Sequence, residues 1–337
     1  MLILYLLSIL LLCLWRIHFS YDNDYLSKEQ CNNIKGIFIL MIFLTHSMQY
    51  IKESGYTFSG IDMITTEITN YTAQLVVVMF LFYSGYGVAL QINCKGMTHV
   101  KAMPKHRILK TLLNFDIAVC IFILLDIILS RPLSLNQIFL SFLAWDSVGN
   151  SNWYIFVILL CYVATYIATA FLKSYKEGGI LLLCIIIMLV LSFVKGTWWY
   201  DTILAYPAGY IYCSYRNYIE KWLKQHYFYA LFALIIAFII FHDFFPYYLR
   251  GITKNIMGII FSMIVVMITM KVKIGNKCLQ WCGTNLFPLY IYQRIPMIAL
   301  QALLGDEFVS SFPIVYLTMS VAITCVIAYY YRYWKVV

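Results

Sequence analysis

The sequence predicts an all-α fold, a polytopic transmembrane bundle of about eleven helices. Three observations lead there. The 337 residues are 63% hydrophobic and only 12% charged, where a soluble domain is about a quarter charged. Apolar runs of roughly 18 or more residues recur along the chain. The 24 Lys and Arg residues sit mostly in short loops between those runs, as topology signals do. That placement also argues against nucleic acid as the reason for the net charge of +9.

The spans follow in order. The opening "MLILYLLSILLLCLW" has no charged start and no small-residue cleavage site, so it reads as a retained helix over roughly 2–18. Residues 1–20 then form an extra N-terminal transmembrane helix, and 25–335 the main membrane domain. "IKGIFILMIFLTHSMQY" supplies the second span, 34–51, and "FLFYSGYGVALQI" lies in the third, 72–92. The fourth, 109–130, opens after a basic loop, and the fifth, 152–172, opens on "NWYIFVIL". Spans over 179–194, 198–214, 227–245, 252–270, 284–304 and 312–331 complete the set. Pro207 and Gly209 interrupt the 198–214 span, the weakest. The ten cysteines form no CxxC pair, and no histidine near Cys278 and Cys282 completes a metal site. They read as packing residues, and no metal is expected.

The loop holding Lys95, Lys101, Lys105, Arg107 and Lys110 marks the cytoplasmic side. Alternating from it puts 18 of the 24 cations inside, 5 outside and Arg294 within a span. The N-terminus is then outside and the C-terminus inside.

Lys35 and His46 share one span. A helix turns about 100° per residue, so eleven residues return His46 to within roughly 20° of the Lys35 face. The rise is ~16 Å, against ~15 Å for half a hydrocarbon core. A cation at the surface is thus aligned with an imidazole near the midplane. Ionisable groups at that depth face a bundle interior or a wet cavity. The alternative is a histidine bonded to a neighbouring helix. Three further features point to function. Ser84, Gly85 and Gly87 permit close helix approach. Arg107 and Lys110 share a helix face, and beside Lys35 they would make a basic patch suited to phosphate. Gln293 and Arg294 stand in mid-span between Pro288 and Pro296. An arginine there needs a partner, with Asp116 and Asp126 as candidates.

Together these residues resemble the acyltransferase-three family of integral membrane O-acyltransferases. The resemblance rests on the basic residue, ten residues and histidine of one helix, on "FYSGY" in the next, and on the basic pair opening the third. It continues through "NWYIFVIL", "DTILAYPAGYIY" and "LYIYQRIP", and covers about residues 25–335. The last two are similar to polysaccharide O-acetyltransferase members. The resemblance implies a bundle of about ten helices, here with one more in front, in a bacterial cytoplasmic membrane. It implies an acetyl-CoA donor on the cytoplasmic side and a cell-envelope or capsular sugar as acceptor. His46 matches the essential histidine, Lys35 the basic residue before it, and Arg107 with Lys110 the paired arginines. Lysine stands at 35 and 110 where arginine is usual; it keeps the charge and loses the bidentate fork.

The resemblance and the helix geometry suggest a division of labour. Lys35, Arg107 and Lys110 hold the anionic head of coenzyme A, and its arm runs along the helix face to His46. His46 acts as general base or as a nucleophile carrying the acetyl group. Arg294 stabilises an oxyanion or binds an anionic sugar. Ser84 is a hydrogen-bonding helper to the donor or a packing residue. Asn152, Trp153, Tyr154, Trp199, Asp201 and Gln293 are candidates for the sugar. The tryptophans have a rival explanation in the interfacial aromatic belt. A transporter or flippase of lipid-linked sugars is the competing function, since it too would carry buried charges and proline-broken helices.

Overall fold

The computed structural model describes residues 2–19, 24–72, 74–243 and 250–336. The chain opens with α1 (Ile3–Leu14) and a short strand, β1 (Ile17–Phe19). Ser27 caps α2 (Lys28–Glu53) by accepting from the Gln30 N–H. α3 (Ile61–Thr72) leads into α4 (Leu75–Lys95), which ends at Gly96 with φ 57°. α5 (Met97–Met103) joins α6 (Lys110–Ile128) through a π turn at Pro104–Leu109. A short helix, α7 (Leu135–Phe142), precedes α8 (Trp153–Phe171) and α9 (Lys176–Val194). A 3-10 turn at Thr197–Trp199 then leads to α10 (Ala205–Ser214), α11 (Arg216–Gln225) and α12 (Tyr227–Asp243). After α13 (Arg250–Thr269) come β2 (Val272–Ile274), α14 (Lys277–Thr284) and α15 (Leu286–Tyr292). α16 (Arg294–Ser311) and α17 (Pro313–Tyr330) close the bundle.

The fold is the expected all-α bundle, and the chain is an integral membrane protein. Among the described residues, seven helical stretches are long and apolar enough to cross a membrane. There are eight if α11 and α12, bent by 99°, count as one. Each of the eleven expected spans contains helix, but residues 15–18 of the first are turn and strand and 200–204 of the 198–214 span are turns; residues 73, 244 and 245 lie outside the described set. Several are shorter than a full crossing, or broken. α1 has 12 residues and α10 has 10. The 284–304 span is divided between α15 and α16. The cause is proline: Pro288 has no N–H for the carbonyl at 284, and Pro296 none for the carbonyl at 292. α14 accordingly ends at Thr284 and α15 at Tyr292.

Two helix crossings hold the site in place, and both use reciprocal glycines. Where α2 meets α14, Gly36 faces the Leu279 carbonyl and Gly283 faces the Asn32 carbonyl. Where α4 meets α10, Gly85 faces the Tyr206 carbonyl and Gly209 faces the Phe82 carbonyl. A Cβ on any of the four would enter the opposing backbone, so only glycine permits the approach. Gly209, read from sequence as an interruption, is thus a packing residue. Gly87 faces open space and has no such role.

One end of α2 is bolted down by a small ribbon. β1 and β2 pair antiparallel, Ile17 opposite Ile274. Asn33 donates to the Ile274 carbonyl at 2.7 Å and Gln30 to the Val272 carbonyl at 3.0 Å. The ribbon joins two loops that the charge pattern places on one side of the membrane.

Candidate active site

His46 lies toward the end of α2 opposite the ribbon, in a cavity of about 620 Å³. That volume is within the range of small-molecule sites. α2 contributes Thr45 and Gln49 as well, and Asn70, Gln74, Trp153, Trp198 and Tyr290 join from other segments. The Nδ1 atom of His46 is buried and has no hydrogen-bond partner. A buried polar atom left unpaired is costly, and this one borders a cavity that could supply it a partner. Gln293 lies against the ring, with Arg294 close by.

The break between α15 and α16 puts these two side chains there. Gln293 ends one helix and Arg294 starts the next. The Arg294 Nε–H donates to Ser151 Oγ at 3.0 Å, and an Nη2–H donates to Gln49 Oε1 at 2.9 Å. Its guanidinium carbon is 5.8 Å from the Tyr50 ring centroid. Neither acid named from sequence is its partner: Asp126 pairs with Arg131 at 3.6 Å, and Asp116 has a buried, unpartnered Oδ1. Neutral oxygens hold the guanidinium instead, so its charge is left available to the cavity. Arg294→Lys keeps the charge and loses the two-pronged hold. Turnover is expected to fall about tenfold or more, with each lost charge-assisted hydrogen bond contributing ~1.5–3 kcal/mol. Steady-state kinetics in membranes measures it, and unchanged turnover would remove Arg294 from the reacting centre.

A second cavity, of about 480 Å³, lies at the ribbon end. Arg107, Lys110, Arg332 and Lys335 line it, with His106. Thr284 lines it too and accepts from Asn32 at 3.0 Å, which fixes its level on α2. The expected basic patch is therefore divided. Arg107 and Lys110 come together, but Lys35 is not among the lining residues. α2 turns Asn32 and Gly36 toward α14, which leaves Lys35 on the adjoining face beside Lys28 and Cys31. Arg332 and Lys335 take up the remaining positions; their distance in sequence from Arg107 concealed them.

The comparison with known families decides the class. Residues 29–332 match the acyltransferase domain of one family, the acyltransferase-three family. The chain belongs to that family. No curated protein and no solved structure matches the chain. In this membrane acyltransferase the remaining expected residues separate into groups. Trp153 lines the His46 cavity. Tyr154 is buried behind it, its ring 5.3 Å from that of Tyr290, and Ser84 lies against its hydroxyl. Ser84 thus belongs near the histidine cavity and away from the basic one. Asn152 and Trp199 line a separate groove with Lys195. Asp201 is buried and lines none of these cavities. Ser151 and Tyr290 were not foreseen as site residues; Gln49 is legible in sequence as a polar neighbour of His46, and Trp198 as one of the aromatic residues of "KGTWWYDT". Gln49 had a signal: it stands three positions after His46, on the same helix face. Among the described residues no group of three or more His, Cys, Asp or Glu is placed to hold a metal ion.

Proposed function

We propose that this acyltransferase moves an acetyl group from cytoplasmic acetyl-CoA to a hydroxyl of a cell-envelope or capsular sugar. The observation that carries the reading is the unpartnered His46 Nδ1 beside Arg294, in a cavity large enough for a substrate. The four-cation cavity at the other end of α2 supports the donor half. Loop charge places that end in the cytoplasm, with the N-terminus outside.

Arg107 and Lys110, with Arg332 and Lys335 beside them, bind the nucleotide phosphates of the donor, while Lys35 on the adjoining face of α2 stands outside that cavity. The pantetheine arm then covers a climb along α2 of ~16 Å from Lys35. Ser84 and Tyr154 border the reactive end of that path. With His46 as base, the sugar hydroxyl gives its proton to the imidazole as its oxygen attacks the thioester carbonyl. The C–S bond breaks, and the coenzyme A thiolate leaves and is protonated. Arg294 stabilises the tetrahedral oxyanion, and Gln293 orients the ring. In the carrier variant, the imidazole takes the acetyl group first and passes it to the sugar. Trp153 borders the acceptor in the cavity, while Asn152, Trp199 and Asp201 shape the outward loops that admit it.

Transfer of label from [acetyl-¹⁴C]acetyl-CoA in membranes tests the proposal. Label is expected in a base-labile glycan ester. Arg107→Gln and Lys110→Gln are each expected to raise KM for acetyl-CoA about tenfold with a smaller change in kcat. Absence of both coenzyme A binding and transfer would defeat the donor scheme and bring the transporter reading forward.

A further inference from the structure

The sequence-predicted acceptor residues do not share one room. A groove of about 500 Å³ adjoins the His46 cavity, and Trp198 lines both. The Trp198 indole is 51% exposed. It lies against Gly196, where a Cβ would enter the ring. It is therefore a thin wall between two spaces.

The groove is a built site. Lys195 Nζ donates to the Trp145 carbonyl at 2.7 Å. The same ammonium sits 4.0 Å from the Trp145 ring centroid and 4.4 Å from that of Trp199. The two indoles are 6.2 Å apart. Asn152 Nδ2 donates to the carbonyls of Ala144 and Asp146, both at 2.9 Å, and so fixes the facing loop. Burial pushes the Lys195 pKa down, and nearby Asp146 opposes that shift. One cation and one carboxylate face a shared space lined with indoles. A pyranose ring has an apolar C–H face and a rim of hydroxyls. The half-exposed Trp198 indole matches the first, and the Lys195 ammonium and the Asp146 carboxylate match the second. The opposed charges favour no net charge in the ligand.

We propose that this groove is a second acceptor subsite, holding an uncharged sugar ring next to the one whose hydroxyl reaches His46 past Trp198. The acceptor is then an oligosaccharide of at least two residues. The inference rests on the acyl-transfer reading of the His46 cavity.

The test uses purified protein in detergent with labelled acetyl-CoA. Acceptors are one-, two- and three-residue fragments from partial acid hydrolysis of the cells' own base-treated envelope glycan. In the wild type, KM falls at least about tenfold from one residue to two and changes little at three. Lys195→Met and Asp146→Asn, each checked for folding by thermal melting, pull that ratio toward one. Equal KM for one- and two-residue acceptors in the wild type would overturn the proposal. So would a ratio that survives in both folded variants. Label in no acceptor would remove the acyl-transfer reading itself, and the subsite with it.

Discussion

His46→Gln is expected to lower acetyl transfer by about 10²–10⁴-fold while coenzyme A binding persists. Glutamine fills similar space and stays neutral, so packing of α2 is kept. It offers no nitrogen able to take a proton from a hydroxyl. In the proposed scheme the donor's head sits at the opposite end of the helix, in the cavity lined by Arg107 and Lys110, so binding and chemistry separate. Single-turnover assays with bound labelled donor measure the effect. Adding the donor alone distinguishes the two roles: a carrier histidine acquires label before any acceptor is present, and a base does not. A loss of less than about tenfold would place His46 among packing residues, since a general base contributes at least ~10²-fold.

Gly36→Val should have the largest effect on folding. Its side chain would point into the Leu279 carbonyl, which is backbone and cannot rotate aside. Overpacking usually costs ~1–3 kcal/mol where side chains can adjust; here the helices themselves must part. The displaced helix also carries His46, so activity goes with stability. Gly87→Ala is the matched control, because the added methyl group meets open space and costs within ~0.5 kcal/mol. Heating in detergent followed by size-exclusion chromatography reports both. A Gly36→Val protein melting with the wild type would show that the α2–α14 crossing is looser than described.

The placement of helices was largely legible, because long apolar runs leave few alternatives in a bilayer. The alignment of Lys35 with His46 was legible too, since one helix carries both and helix geometry is fixed. Arg294 stood out in the sequence by its depth, and it does line the His46 cavity, but its partners were not legible. Ser151 and Gln49 come from a loop and a distant helix, and nothing local ties them to Arg294. The division of the basic residues was hidden for a related reason. Which face of α2 meets α14 depends on Gly36 and Gly283 finding each other's backbones, a tertiary fact without a periodic signal. Trp198 and Trp199 look alike in sequence. A single turn exposes the first between two cavities and buries the second against Lys195.

The hydrogen bond between Gln49 and Arg294 spans 245 positions of chain, and this has a consequence in time. Ribosomes add about 5–20 residues per second, so the arginine emerges roughly 12–50 s after the glutamine. For most of that interval α2 is without β2 and α14, which are made only shortly before Arg294, and for all of it without its guanidinium. The contact between α2 and Arg294, and the cavity wall it forms beside His46, comes into being only when nearly the whole polypeptide has been made.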